Sequence, residues 1–217
     1  MRIGVVTGDS VTFKAALSPN VTLPDSVYVW SGAASGNGSS VSVSFPDAHD
    51  YSVGLSVAGW SNRVAGITAM DVPSPNEGTW ATMHPISAAT AYTLGQEAQA
   101  WAQTNQTALG GGWTNGRADA ARHSYWNVLM SVEMDAATAE GAGTAHERTN
   151  IEDGGEHNAS VMDLHNNAVG RTVSNGLTTN RVDCANTVIN VLNAGSPWIM
   201  DDLANANEVG LLKPSNQ

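Results

Sequence analysis

The sequence predicts a two-part chain, a small antiparallel β-sandwich followed by an all-helical domain. Three observations predict it. Apolar residues alternate with period two up to about residue 72, a Pro/Gly-bearing polar stretch follows, and helical periodicity with capping signals fills the remainder. The division expected is 1–72 for the sandwich, 73–79 for a linker and 80–217 for a helical domain. At 217 residues, two modest domains fit better than one.

In the first part, Val11, Phe13 and Ala15 point one way, and Val41, Val43, Phe45 and Val53, Leu55, Val57 repeat the pattern. Turn-forming clusters separate them: Ser18-Pro19-Asn20, Leu23-Pro24-Asp25-Ser26, the Ser/Gly/Asn run 35–40, Pro46-Asp47-Ala48-His49-Asp50 and Trp60-Ser61-Asn62-Arg63. Trp30 is the expected core tryptophan and Tyr51 the residue pinning a corner. Asp9 and His49 read as turn residues. The segment Asp71–Trp80, with two prolines and a glycine, reads as the linker.

Beyond it, Ser87 is the expected cap of a helix running through Thr107, with Tyr92, Ala98 and Trp101 among its apolar residues. The run Gly110-Gly111-Gly112 ends it. A second helix starts near Asn115 and reaches about Met134. Asp135 caps a third, which is expected to stop just after Arg148. Ser160 opens a fourth, and Asn180 caps a fifth that Gly195 terminates. The tail from Asp201 to Pro214 reads as a short turn of helix and an edge strand. Cys184 lies in an apolar helical pattern and is expected in the core; as a lone cysteine it forms no internal disulfide and no thiolate zinc site.

Charge narrows the function classes. The net charge is −11, with three basic against six acidic residues before position 80 and six against fourteen after it. Such an acidic surface repels phosphate backbones, so no nucleic-acid partner is expected. No run approaches the roughly 18 apolar residues of a membrane span, so no membrane insertion is expected either. The opening residues lack a signal-peptide core, and the chain reads as part of a longer polypeptide.

Chemistry concentrates between Arg117 and Arg171. Asp119, His123 and Asn127 are spaced i, i+4, i+8 on one helical face, beside Trp126. An aspartate one turn from a histidine fixes its tautomer; the alternative is a helix-start aspartate and a hydrogen-bonded core histidine. His146 and Glu147 are adjacent, so a helix aims them about 100° apart. His146 is a candidate metal ligand, with Glu147 orienting Arg171 or Arg122; the alternative is a surface Glu–Arg pair. Asp163, Asn167 and Gly170 share a face, with Asn166 beside it and His165 turned away. Two adjacent asparagines and a glycine are poor helix formers, which points to a gain from their amides and from close approach. The acidic stretch 147–156 offers oxygen ligands for calcium, but its spacing departs from the EF-hand loop and a solvated loop is expected. The H-E-x-x-H, P-loop and G-x-S-x-G patterns are absent.

Two resemblances attach to these residues. The segments V-T-F-K-A, Y-V-W-S-G and D-A-H-D-Y-S-V-G-L-S-V-A resemble a PKD-like or immunoglobulin-like domain of bacterial surface proteins. The run R-H-S-Y-W-N, then A-H-E, then M-D-L-H-N-N-A-V-G-R resembles an uncharacterised helical domain of bacterial exported and toxin-like proteins, over about Gly112 to Val173. That resemblance implies an all-helical domain and no particular reaction. A fainter likeness to prokaryotic phospholipases A2 is confined to Arg122-His123 and a later Tyr and Asn.

The expectation is therefore an exported bacterial or phage-associated protein, extracellular, on the cell surface or on a virion, with a hydrolase-like site acting on an ester or phosphodiester. The catalytic candidates are His123, His146, Glu147 and Asp163. Arg122, Trp126, Asn127, Asn166, Asn167 and Arg171 are candidates for substrate binding. A divalent metal on His123, His146 and Asp163 is the candidate cofactor, and a cell-envelope or surface ligand the candidate partner. The competing expectation is a non-catalytic envelope or virion module whose polar cluster is a buried hydrogen-bond network.

Overall fold

The computed structural model describes residues 2–15, 23–57, 63–200 and 211–217, with the backbone alone for 63 and 64. The expected turns at 18–20 and 60–63 and most of the tail fall wholly or partly outside these residues. The chain divides into two compact units, Met1–Asp71 and Val72–Gln217.

The first unit is a β structure. Strands β1 (Arg2–Val6), β3 (Tyr28–Gly32), β4 (Gly36–Asn37), β6 (Asp50–Val57) and β7 (Arg63–Met70) lie in the order β4-β3-β6-β7-β1. All their pairings are antiparallel except β1 with β7, which is parallel. Strands β2 (Ser10–Lys14) and β5 (Ser40–Ser44) form a separate antiparallel pair. Period-two burial follows the sequence pattern: Val43, Phe45, Val53, Val57 and Ile67 are buried, while Val11 and Phe13 are half-buried. Trp30 is buried, and its indole N–H donates to the Gly38 carbonyl at 2.8 Å. Tyr51 ties the corner before β6, its hydroxyl donating to the Asp47 carbonyl at 3.1 Å and accepting from the Asp47 N–H at 3.3 Å. Asp9 closes the turn after β1 by accepting the Val6 N–H at 2.8 Å.

Among the described residues, the second unit holds six helices and one strand pair. Helices α1 (Glu77–Met83), α2 (Pro85–Thr104), α3 (Arg117–Glu133), α4 (Ala136–Glu152), α5 (His157–Val173) and α6 (Arg181–Ala194) precede strands β8 (Trp198–Met200) and β9 (Leu212–Pro214), which pair antiparallel. Helix α1 starts inside the stretch read as linker: Asn76 accepts the Thr79 N–H at 3.1 Å and so supplies a cap. Helix α2 begins at Pro85, whose missing N–H costs nothing in the first turn, so Ser87 lies within the helix rather than capping it. Its buried face is Ala91, Leu94, Ala98 and Ala102, while Tyr92 is 70% exposed.

Asp135 caps α4 through the Thr138 N–H at 2.7 Å, and Asn180 caps α6 through the Val182 N–H at 3.0 Å. Gly195 ends α6 at φ 83°, where a side chain would be strained. Helix α4 runs one turn past Arg148, and α5 starts three residues before Ser160. Cys184 is buried, its thiol donating to the Thr178 carbonyl. Among the described residues, no helix is long and apolar enough to cross a membrane.

Candidate functional site

Helix α3 is the axis of the site. Twelve of its residues are buried, among them the polar Asp119, His123, Ser124 and Asn127. Such a run is stable only if these groups are paired, and helix α5 supplies the partners. The Ser124 hydroxyl donates to the Asn166 carbonyl at 3.1 Å, and Asn127 Nδ2 donates to Asn167 Oδ1 at 2.7 Å. Arg171 Nη1 donates to Asn127 Oδ1 at 3.2 Å and its other terminal nitrogen lies 3.5 Å from Glu140. Gly170 makes this approach possible, because an added Cβ would collide with the Ser124 carbonyl oxygen. Gly143 of α4 likewise leaves room for the Asn167 amide.

One turn toward the start of α3, the chemistry changes. Asp119, His123 and Asp163 each offer a ligand atom, and these atoms lie within 4.8 Å of one another. His123 Nε2 is 3.8 Å from Asp119 Oδ1 and 3.4 Å from Asp163 Oδ1. Arg122 Nη2 reaches Asp119 Oδ1 at 2.6 Å and His123 Nε2 at 2.6 Å. A guanidinium only donates, so Nε2 offers its lone pair and the neutral ring carries its proton on Nδ1. Three electron-pair donors thus converge on one small volume, and Arg122 bonds two of them. Among the described residues, Asp163 Oδ1 has no hydrogen-bond partner, nor does His123 Nδ1, although the Asn167 amide lies beside the ring.

Burial sets the protonation preferences. It pushes the His123 pKa well below the usual value, and the charges of Arg122 and His146 push the same way, against the Asn167 amide. Burial pushes Asp163 well above the usual carboxylate range, reinforced by Glu147 and Asp119 and opposed by Arg122. Burial also raises Glu147, against His146 and the Asn150 and Ser160 side chains.

Glu147 is 0% exposed, which removes the reading of it as one half of a surface pair. Asn150 Nδ2 donates to its Oε2 at 3.1 Å, while among the described residues Oε1 accepts no hydrogen bond. Glu147 and Asp163 both line an open cavity of about 390 Å³ that the loop 153–156 also lines.

The other expected residues fall as follows. His146 is not among the ligand atoms of the cluster. Its Nδ1 faces Glu77 at 3.4 Å, and its ring packs edge-on against Trp126 and 6.4 Å from that of His123. Burial pulls the His146 pKa down, but Glu77 and Glu147 outweigh it and leave the group above its usual value. Trp126 spends its indole N–H on the Ala91 carbonyl at 2.9 Å and so joins α3 to α2. Asn166 faces β8: its Oδ1 accepts the Trp198 N–H at 2.7 Å and its Nδ2 donates to the Trp198 carbonyl at 3.0 Å. His165 is turned away from the cluster, half-exposed, and its ring stacks on that of Trp198 at 3.7 Å. In this cluster Asp119 stands where the sequence reading expected His146. The signal was its i, i+4 spacing from His123, read then as support for the ring.

Asp119, His123 and Asp163 could therefore hold a metal ion, and without one they form a buried ion-pair network with Arg122. Two carboxylates and an imidazole suit a divalent ion of intermediate hardness. No curated protein and no solved structure matches the chain at a significant level. A family model does match, that of a domain of unknown function (DUF6973), over residues 78–195, just over half of the chain and spanning every helix described above but the first residue of α1. The chain belongs to that family.

Proposed function

We propose that the helical unit is a hydrolase acting on an ester or phosphodiester, with a divalent metal ion held by Asp119, His123 and Asp163. The carrying observation is the convergence of Nε2, Asp119 Oδ1 and Asp163 Oδ1 with the last left without a hydrogen bond. A buried carboxylate oxygen in that state is costly, and a cation or a proton relieves it. A bound ion would supply Lewis acidity toward an attacking water or the substrate oxygen.

The chain's own residues supply the rest. Glu147 lines the same cavity as Asp163 and so places a second buried acid beside the centre. Arg122, with its side chain 27% exposed, is the cation available to an anionic transition state. Asn127, Asn167 and Arg171 position α5 against α3 rather than touch substrate.

The test compares wild type with His123→Ala in ester and phosphodiester screens supplemented with zinc or manganese. The expected result is a metal-stimulated activity that the variant loses by about 100-fold or more while keeping its helical circular dichroism. A variant that unfolds, with no activity in the wild type under any metal, would favour the second reading. That reading is a non-catalytic module, and the Asn127–Asn167–Arg171 network supports it, since such networks fix helix register.

For the β unit we propose a PKD-like or immunoglobulin-like domain within a longer exported or virion-associated polypeptide, with a cell-envelope or surface ligand. Support comes from the core tryptophan Trp30, the corner tied by Tyr51 and the sequence resemblance of its strands.

A further inference from the structure

The cavity beside Asp163 has its own chemistry. Its wall carries four acidic side chains, Glu147, Asp153, Glu156 and Asp163, with Asn150 and Ser160 between them, and no lysine, arginine or histidine. Glu147 is fully buried, and among the described residues its Oε1 has no hydrogen bond, while Asp163 Oδ1 is the oxygen given above to the metal ion. An acidic wall with one buried acceptor left without a donor calls for a guest that brings N–H groups and positive charge. An anion is repelled by the same wall.

Size separates the guests. At about 390 Å³ the cavity far exceeds the roughly 30 Å³ share of one water and suits an organic group rather than a bare ion. The wall is also preformed. The Gly155 N–H donates to the Asn150 carbonyl at 2.7 Å, and Gly154 turns the chain at φ 85°, a conformation that favours glycine.

We propose that this cavity binds the cationic group of the substrate, an ammonium or guanidinium, and so presents the adjoining ester linkage to the Asp119–His123–Asp163 centre. The proposal rests on the hydrolase reading and names its substrate class. Asp163 belongs to both the cavity wall and the ligand set, so a group bound there lies beside the hydrolytic centre. Glu147 is the principal counter-charge, and Asp153 and Glu156 draw the cation in from the rim.

The experiment measures binding of butylammonium and butylguanidinium by calorimetry, with neutral butanol and calcium as comparison ligands. Wild type, His123→Ala, Glu147→Gln and the rim variant Asp153→Asn are compared, each checked by thermal melting. Expected is saturable binding of the cationic probes, kept in His123→Ala and weakened about tenfold in Glu147→Gln, as loss of a buried charge-assisted contact implies. Asp153→Asn, should weaken binding less, and its weakening should fade in salt. Binding equal to that of butanol, unchanged affinity in both carboxylate variants, or calcium taking the site while the organic cations fail would each overturn the proposal. Probe binding in a protein that hydrolyses nothing would keep the cation site and remove the hydrolase reading. Hydrolysis lost in His123→Ala, with neutral and cationic esters cleaved alike and no probe bound, would do the reverse.

Discussion

At His123, three acceptor atoms face one another and one guanidinium bonds two of them. Arg122 and a metal ion would compete for Asp119 Oδ1 and His123 Nε2. Arg122→Met, which keeps the stem and removes the charge, should therefore bind a divalent ion about tenfold or more tightly than wild type in equilibrium dialysis. Weaker binding in that variant would place Arg122 among the supports of the site instead. Glu147 gives a pH prediction. Its folded pKa lies above the unfolded value, so its contribution to stability is full below about pH 4.3 and is lost as pH rises through the folded value. His123 contributes with the opposite sign, since its folded pKa is depressed and acid must charge a buried ring. Comparing Glu147→Gln with wild type isolates the first term. The variant should gain on wild type in urea midpoint as pH rises from 4 toward 8, and the gap should close at the acid end.

Between elements, the packing of α3 on α5 decides whether the site exists. Gly170→Ala inserts a methyl group against the Ser124 carbonyl oxygen, a backbone atom that cannot rotate away. Overpacking of this kind costs about 1–3 kcal/mol, read as a lower denaturation midpoint; an unchanged midpoint would mean that the helices can separate there without loss. The same pair shows what the sequence reveals at this scale. The poor helix formers Asn166, Asn167 and Gly170 signalled tertiary contacts, and each makes one. Which contact each makes was not legible, because Asn166 turns to the β8 backbone while Asn167 turns to Asn127. Caps at Asp135 and Asn180 and the stop at Gly195 were readable because they are local. The seven-residue α1 was missed, since prolines ahead of it mask a cap that only Asn76 marks.

For the whole molecule, period-two alternation and helical capping suffice to place β structure before α structure, because both signals repeat over tens of residues. The centre was half legible. Helix spacing put Asp119 and His123 on one face, but the choice between Asp119 and His146 as third ligand depends on the seat of α1, whose Glu77 holds His146. The acid-lined cavity was illegible, since the stretch 147–156 reads as a solvated loop until α4 and α5 bury its first residue. The function proposed for the helical unit depends on whether the buried cluster is a cation site. Calorimetric titration of wild type and Asp163→Asn with manganese or zinc tests this most directly. One ion per wild-type chain is expected, with at least about tenfold weaker binding in the variant. No saturable binding, or equal binding in the two proteins, would contradict it.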